Sequence, residues 1–466
     1  MSDIHWMSCH QLSLAYQSKE LTPLEVVQHL LSRIERLDPT LNSFCLTDPE
    51  RSLRDATEST RRWRTNNPKS QLDGVPIAIK DQILVKGWPT LRGSKAVDPS
   101  GPWDEDAPVV AMLREAGLVL LGKTTTSEYG WRGSTDTLLC GATRNPWNLD
   151  KTPGGSSGGS ASAVAAGLVP VALGTDGGGS VRIPAAFTGL YGLKPTYGRV
   201  PTYPASYMGR LAHTGPLART AQDLGLVMDI IAQPDQRDPD CTARNGDNFS
   251  TSNARVSGTR FQFSSRFGYI DKSNAEVDAI ARGAFERLAN AGGLLLAKDF
   301  TISDPTPAFG ALFAAGTAHF FGAMNAAQHD CLEDGLKQLI SECQNVTLSE
   351  VMSAADGRNL LCDELNGVFE QTDFLVSPTV ATTAFEINKL VPSDENGEDW
   401  QMWSPFTYPF NLSGHPAITV PCGLSKDGLP VGLQIVGRKF EDQALLSIAK
   451  DMAFHGLSFE QRPATL

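Results

Sequence analysis

The chain lacks several features that would assign it to other classes. No stretch of about 18 apolar residues occurs, so no membrane-spanning helix is expected. Its start, MSDIHWMSCHQLSLAYQSKE, has no basic segment followed by an apolar core, which predicts no secretory signal. The 8 cysteines form no C-x-x-C pair, so neither a zinc knuckle nor a thioredoxin-like motif is expected. Scattered cysteines without an export signal point to reduced thiols and a cytoplasmic location. Basic clusters are also scarce. The net charge is -12, and RRWR at Arg61–Arg64 is the densest basic patch, continuing a charged helical stretch. A nucleic-acid partner is therefore not expected.

What is present is an ordinary globular composition, 41% hydrophobic and 20% charged. LTPLEVVQHLLSRIERLDP reads as a helix: Thr22 is its N-cap, Pro23 its first residue, and Glu25 completes a capping box. Leu24, Val27, Leu31 and Ile34 give one apolar face, and Asp38-Pro39 is expected to end the helix. Residues 1–70 read as mostly helical. Beyond them, VPIAIK, LVLLGK and VPVALGTD read as buried strands, with APVVAMLREAG and GSASAVAAGLVP as intervening helices. That alternation argues for an α/β layered domain. Residues 234–258 are polar and turn-rich, a surface excursion. NAEVDAIARGAFERLANAGG is an amphipathic helix with a glycine stop, and FGALFAAGTAHFFGAMNAA is a helix apolar enough for core or pocket wall. TDFLVSPTV, PAITVPCG and DGLPVGLQIVG read as late strands of the same sheet.

The segment GGSSGGSASA, Gly154 to Ala163, invites three readings. A flexible linker does not fit, because the serines run straight into an alanine-rich helix. A phosphate cradle has a decoy in GLVLLGKT, Gly117 to Thr124, which matches G-x-x-x-x-G-K-[ST]. There the four middle residues are a buried strand and not a loop, so Lys123 reads as a strand-end lysine. Gly154 to Gly158 also matches the G-x-S-x-G elbow of a serine nucleophile, but RNPWNLDKTP before it is no strand.

A second serine lies in VALGTDGGGSVRIPAA, after a buried strand and three glycines. The backbone N–H groups of Gly177, Gly178, Gly179 and Ser180 would converge there, as an oxyanion hole requires. A glycine turn before a helix would read the same way in isolation. Lys80 ends the strand VPIAIK, where burial would favour the neutral amine. The competing reading pairs it at the surface with Asp81.

Together these segments resemble the amidase signature family. GGSSGGSASA and GTDGGGSVRIPAA are similar to the two halves of its signature, and DGVPIAIKD to its lysine segment. TTSEYGW, GATRNPWN, LKPTYGRVP, HTGPLARTAQDLG, FNLSGHPAITVPCG and GLPVGLQIVGR follow in family order. The similarity is strongest over residues 74–230 and 373–438. It implies an α/β fold with a large central mixed sheet flanked by helices on both faces, in a single domain over 1–466. Within it, 1–70 is the helical N-terminal part, 74–230 the catalytic core, 234–372 a variable, pocket-shaping part, and 373–466 the return to the same sheet.

The resemblance also implies the chemistry. Lys80, Ser156 and Ser180 would be catalytic, Ser156 following a cis peptide and Ser180 acting as nucleophile. Gly177, Gly178 and Gly179 would form the oxyanion hole, with Ser157, Asp176 and Arg182 in support. Such a site needs no metal and no other cofactor. The implied substrate is a small neutral or aromatic amide, with Tyr129, Trp131, Phe313 and Phe320 as pocket candidates. Partners are limited to that small molecule and a homodimer mate, with no membrane. A glutamine-hydrolysing component of an amidotransferase complex is the alternative. Trp131 in SEYGWRGSTDT departs from the stretch such components carry.

Overall fold

The strands of this protein are short and mostly buried, and they assemble into one large sheet. The computed structural model describes residues 4–243, 246–392, 403–459 and 461–464. In chain order the strands are β1 (Phe44–Thr47), β2 (Pro76–Lys80), β3 (Val119–Thr124), β4 (Asp136–Thr137), β5 (Gly141–Ala142), β6 (Val171–Asp176), β7 (Tyr191–Lys194), β8 (His213–Ala218), β9 (Arg260–Phe263), β10 (Leu294–Leu296), β11 (Phe374–Pro378), β12 (Ala417–Leu424) and β13 (Pro430–Val436). β4 and β5 make a small ribbon. The others form an 11-stranded sheet in the order β1-β3-β2-β6-β8-β7-β12-β13-β11-β9-β10. It is mixed: β3, β2 and β6 are parallel, β6 through β11 run antiparallel to their neighbours, and β11, β9 and β10 are parallel again.

Alternation along the strands gives the sheet two apolar faces. Val376, Ile418 and Ile435 enter one core, whereas their neighbours Leu375, Ala417 and Val436 enter the other. Helices Ala221–Ile231, Ala275–Arg287 and Asp442–Phe454 cover the first face. Helices Arg182–Thr188, Thr306–Gly322, Leu348–Phe369 and Tyr408–Ser413 cover the second. This is the expected helix–sheet–helix layering. Among the described residues no helix is long and apolar enough to cross a membrane.

Several local expectations change. The helix that starts at Pro23 runs through Pro39 to Leu41, with Asn42 as a left-handed cap whose N–H reaches Asp38 O at 2.7 Å. Proline removes one helical hydrogen bond, and in an exposed last turn water replaces it cheaply. The N-terminal helical part also contributes a strand, β1, at the sheet edge. Gly122 of β3 permits that pairing, because a Cβ there would collide with the Leu46 carbonyl. β8 holds Pro216 inside the sheet. Its ladder with β7 ends at Leu217, so on that side the missing N–H leaves no ladder bond unmade. The apolar helix Thr306–Gly322 buries only Ala308, Phe309, Phe313, Thr317 and Phe321.

Candidate active site

β2 and β6 are parallel neighbours, so their carboxyl ends lie at the same edge of the sheet. β2 ends at Lys80, and β6 ends at Thr175 and Asp176. Lys80 is fully buried. Its Nζ lies 2.7 Å from Ser156 Oγ and 2.8 Å from Thr175 Oγ1. The Thr175 hydroxyl in turn donates to Gln82 Oε1 at 2.9 Å. Burial pushes the Lys80 amine well below the ordinary lysine range, and the Asp176 charge offsets this only in part. Asp81 is not its partner: that carboxylate pairs with Lys123 Nζ at 3.0 Å. Lys123 also donates to Ile83 O and Thr90 Oγ1, and Val119–Thr124 is buried strand throughout, so the nucleotide-loop match has no loop to work with.

Ser156 precedes the helix Gly158–Ala165, and the Gly155–Ser156 peptide is cis. Ser157 secures this turn to β6 and to the second loop. Its Oγ donates to Thr175 O at 3.1 Å and accepts from Thr175 N at 3.3 Å, and its N–H donates to Ser180 O at 3.2 Å.

The second loop, residues 177–181, is folded around the Asp176 carboxylate. That carboxylate accepts from Gly179 N at 2.7 Å, Val181 N at 3.2 Å, Arg182 Nε at 3.0 Å and Arg182 Nη2 at 2.9 Å. Asn411 Nδ2 adds a bond at 2.8 Å. Burial opposes ionisation of Asp176, but the Arg182 guanidinium and the Asn411 amide prevail and hold the carboxyl below the usual range. Gly179 sits at φ 130°, and a Cβ there would meet Thr407 Oγ1 at 2.5 Å, so the tight turn excludes a side chain.

This geometry corrects one expectation. The Gly179 N–H is committed inward to Asp176 and is not available as an oxyanion donor. Gly177, Gly178 and Ser180 keep N–H groups without a protein partner among the described residues.

Ser156 and Ser180 line one cavity, together with Gln82, Tyr129, Thr175 and Gly177. Of the four aromatic pocket candidates, only Tyr129 reaches its wall. Phe320 packs behind Tyr129, with ring centroids 5.6 Å apart. Phe313 stacks on Phe309 in the core. Trp131 is buried and donates through Nε1 to Glu333. Arg132 Nη2 joins the same carboxylate at 3.0 Å, and burial still pushes Glu333 up to about 7. The rest of the wall includes Arg92, Thr202, Tyr207 and Met208, which carry no sequence signal, and His213, the first residue of β8. All but His213 sit in loops that the fold alone brings to the strand ends.

Known proteins share this chain's sequence and its fold. The family model named Amidase matches residues 25–446. An acylamidase of Rhodococcus erythropolis is 36% identical over 467 residues, covering 96% of this chain and 95% of that protein. A glutamyl-tRNA(Gln) amidotransferase chain of Acinetobacter baumannii (strain AYE) is 34% identical over 480 residues, covering 96% of each. The crystal structure of a bacterial aryl acylamidase of the amidase signature family aligns with a TM-score of 0.89 at 31% identity, over 97% of this chain and 96% of its own.

Proposed function

The chain belongs to the amidase family, enzymes that hydrolyse carboxylic amide C–N bonds, and from that premise we propose that Lys80, Ser156 and Ser180 form its proton path and nucleophile. The observation that carries this reading is the 2.7 Å contact between a buried Lys80 amine and Ser156 Oγ, with no carboxylate among the amine's hydrogen-bond partners.

The direction of the path follows from the hydrogen bonds. Thr175 gives its hydroxyl proton to Gln82, so its oxygen accepts from Lys80 Nζ. The amine's lone pair is then free to accept from Ser156. Neutral Lys80 takes the Ser156 proton as Ser156 takes that of Ser180, and Ser180 Oγ attacks the amide carbonyl carbon. The oxyanion is held by N–H groups of the glycine loop, among which Gly177, Gly178 and Ser180 are unengaged. Lys80 returns its proton through Ser156 to the leaving nitrogen, and the C–N bond breaks. Water then follows the same path against the Ser180 ester, releasing the acid and restoring the serine.

The substrate is a small amide whose apolar part lies against Tyr129, Tyr207 and Met208. The enzyme acts without a nucleic-acid partner. All eight cysteines are free thiols, which supports a reducing compartment such as the cytoplasm.

A fluorophosphonate probe tests the nucleophile. Peptide mapping should find one adduct, on Ser180, lost in Ser180→Ala and slowed in Ser156→Ala; labelling of a different serine would refute the assignment. The likeness to the amidotransferase chain favours a second reading, hydrolysis of glutamine for a partner. Acid release from a simple anilide by the isolated chain supports the free amidase. Glutaminase activity that emerges only with partner proteins supports the other.

A further inference from the structure

Among the described residues, Arg92 lines the wall of the catalytic cavity and no carboxylate does. Among the described residues Arg92 makes no ion pair. The other basic side chain on the wall, His213, is neutral. Burial, then Lys194, hold its imidazole well below the ordinary range, with Asp176 offsetting part of this. Its Nδ1 lies 2.9 Å from Leu211 O, which leaves Nε2 buried without a partner. The buried Tyr207 hydroxyl is likewise unpartnered. Among the described residues the wall therefore offers one cation and no acid.

Arg92 is also held in place. It adopts φ 56°, and the neighbouring wall residue Tyr129 adopts φ 50°, both in the left-handed region that side chains rarely occupy. The Tyr129 N–H donates to Arg92 O at 2.8 Å, so each position fixes the other. That fixes the backbone from which the guanidinium extends, and a guanidinium on the wall of a cleft attracts an anion more strongly than it would in bulk water. Its fork geometry suits a carboxylate.

We propose that Arg92 binds a carboxylate of the substrate, so that the enzyme takes amides bearing an acid group in addition to the scissile bond. The inference rests on the amidase reading of the same cavity and narrows its substrate class. It also bears on glutamine. A zwitterionic substrate needs an acidic partner for its ammonium, and the described wall supplies none.

The test compares succinanilate, the anilide of succinic acid with its second carboxylate free, with the corresponding primary carboxamide, an uncharged near-isostere. In the wild type, kcat/KM for succinanilate should exceed that for the carboxamide by about tenfold or more, as a charge-assisted hydrogen bond implies. That ratio should fall with added salt and collapse toward 1 in Arg92→Gln through a higher KM for succinanilate. Arg92→Lys should keep an intermediate ratio. Equal use of both compounds by the wild type, or an undiminished ratio in Arg92→Gln, overturns the proposal. Calorimetric Kd values for the same compounds on both proteins separate the two claims. Preferential, Arg92-dependent binding without aniline release would leave the carboxylate site standing and refute the hydrolytic reading.

Discussion

Lys80 stands in a place that an ordinary lysine would avoid. Its amine is fully buried, its hydrogen-bond partners are hydroxyls and a backbone carbonyl, and the nearest carboxylate to act on it, Asp176, is already saturated by Arg182. Keeping the amine neutral has a thermodynamic signature. The unfolded chain protonates Lys80 below about pH 10.4, whereas the folded chain does so only at the depressed value. Between those two points the unfolded state binds one more proton, so this group lowers stability as pH falls, by up to about 1.36 kcal/mol per pH unit. Lys80→Met removes the group. The stability of the variant relative to wild type should therefore rise as pH is lowered from about 10, then level off below the folded value, with amide hydrolysis lost throughout. Urea titrations at a series of pH values read this directly. A difference independent of pH would mean that the amine stays protonated in the fold. The other residues of the cavity show why only part of the site could be read in advance. Lys80, Ser156 and Ser180 lie in contiguous motifs. Arg92 and Tyr207 come from loops whose order in the chain says nothing about the wall they share.

At the level of elements, the segment after β3 is clasped to the helix Asp334–Cys343. Glu128 accepts from Ser94 Oγ at 2.6 Å and from Glu333 N at 2.8 Å, and Glu333 receives Trp131 Nε1 and Arg132. This clasp sets the wall residue Tyr129. Burial raises Glu333 to about 7 despite Arg132, so its carboxyl favours the fold while protonated. Its contribution is intact below the unfolded value of about 4.3 and is lost as pH rises toward 7. Glu333→Gln keeps the shape without the titration. Relative to wild type it should gain roughly 2–4 kcal/mol between pH 4 and pH 8, measured by chemical denaturation. Trp131 was legible as an aromatic near the site, but not as a donor turned away from it, because Glu333 lies far along the chain. The strands divide in the same manner. β2, β3, β6 and β11 to β13 are apolar runs bounded by turns, and the sequence displays them. β1, β9 and β10 are four residues or fewer, and β8 contains a proline. Only pairing with their neighbours in the sheet makes them strands.

At the scale of the whole molecule, the loop that carries Ser180 is held by the C-terminal part of the chain. Arg182 donates to Asp176 beside the loop, and also to Thr407 O at 2.9 Å, Asn411 Oδ1 at 2.6 Å and Gln434 Oε1 at 2.8 Å. Thr407 Oγ1 donates to Gly178 O at 2.6 Å. The C-terminal segment thus supplies β12 and β13 to the sheet and also holds the turn that carries Ser180. Asp176→Asn tests the node without changing its size. The Arg182 charge would remain buried with its counter-ion gone, a loss of about 3–5 kcal/mol, and the Gly179 N–H would lose its anionic acceptor. Below about pH 3.9 the unfolded wild type takes up a proton that the folded carboxyl, held below the usual range, does not accept until lower pH, so the gap between the two proteins should close only in acid. Amidase activity should fall in parallel at neutral pH, as an effect on kcat, because the loop and not the cavity wall has been disturbed. If Asp176→Asn unfolded at the wild-type urea midpoint, the ion pair would not be what ties the Ser180 loop to the C-terminal segment.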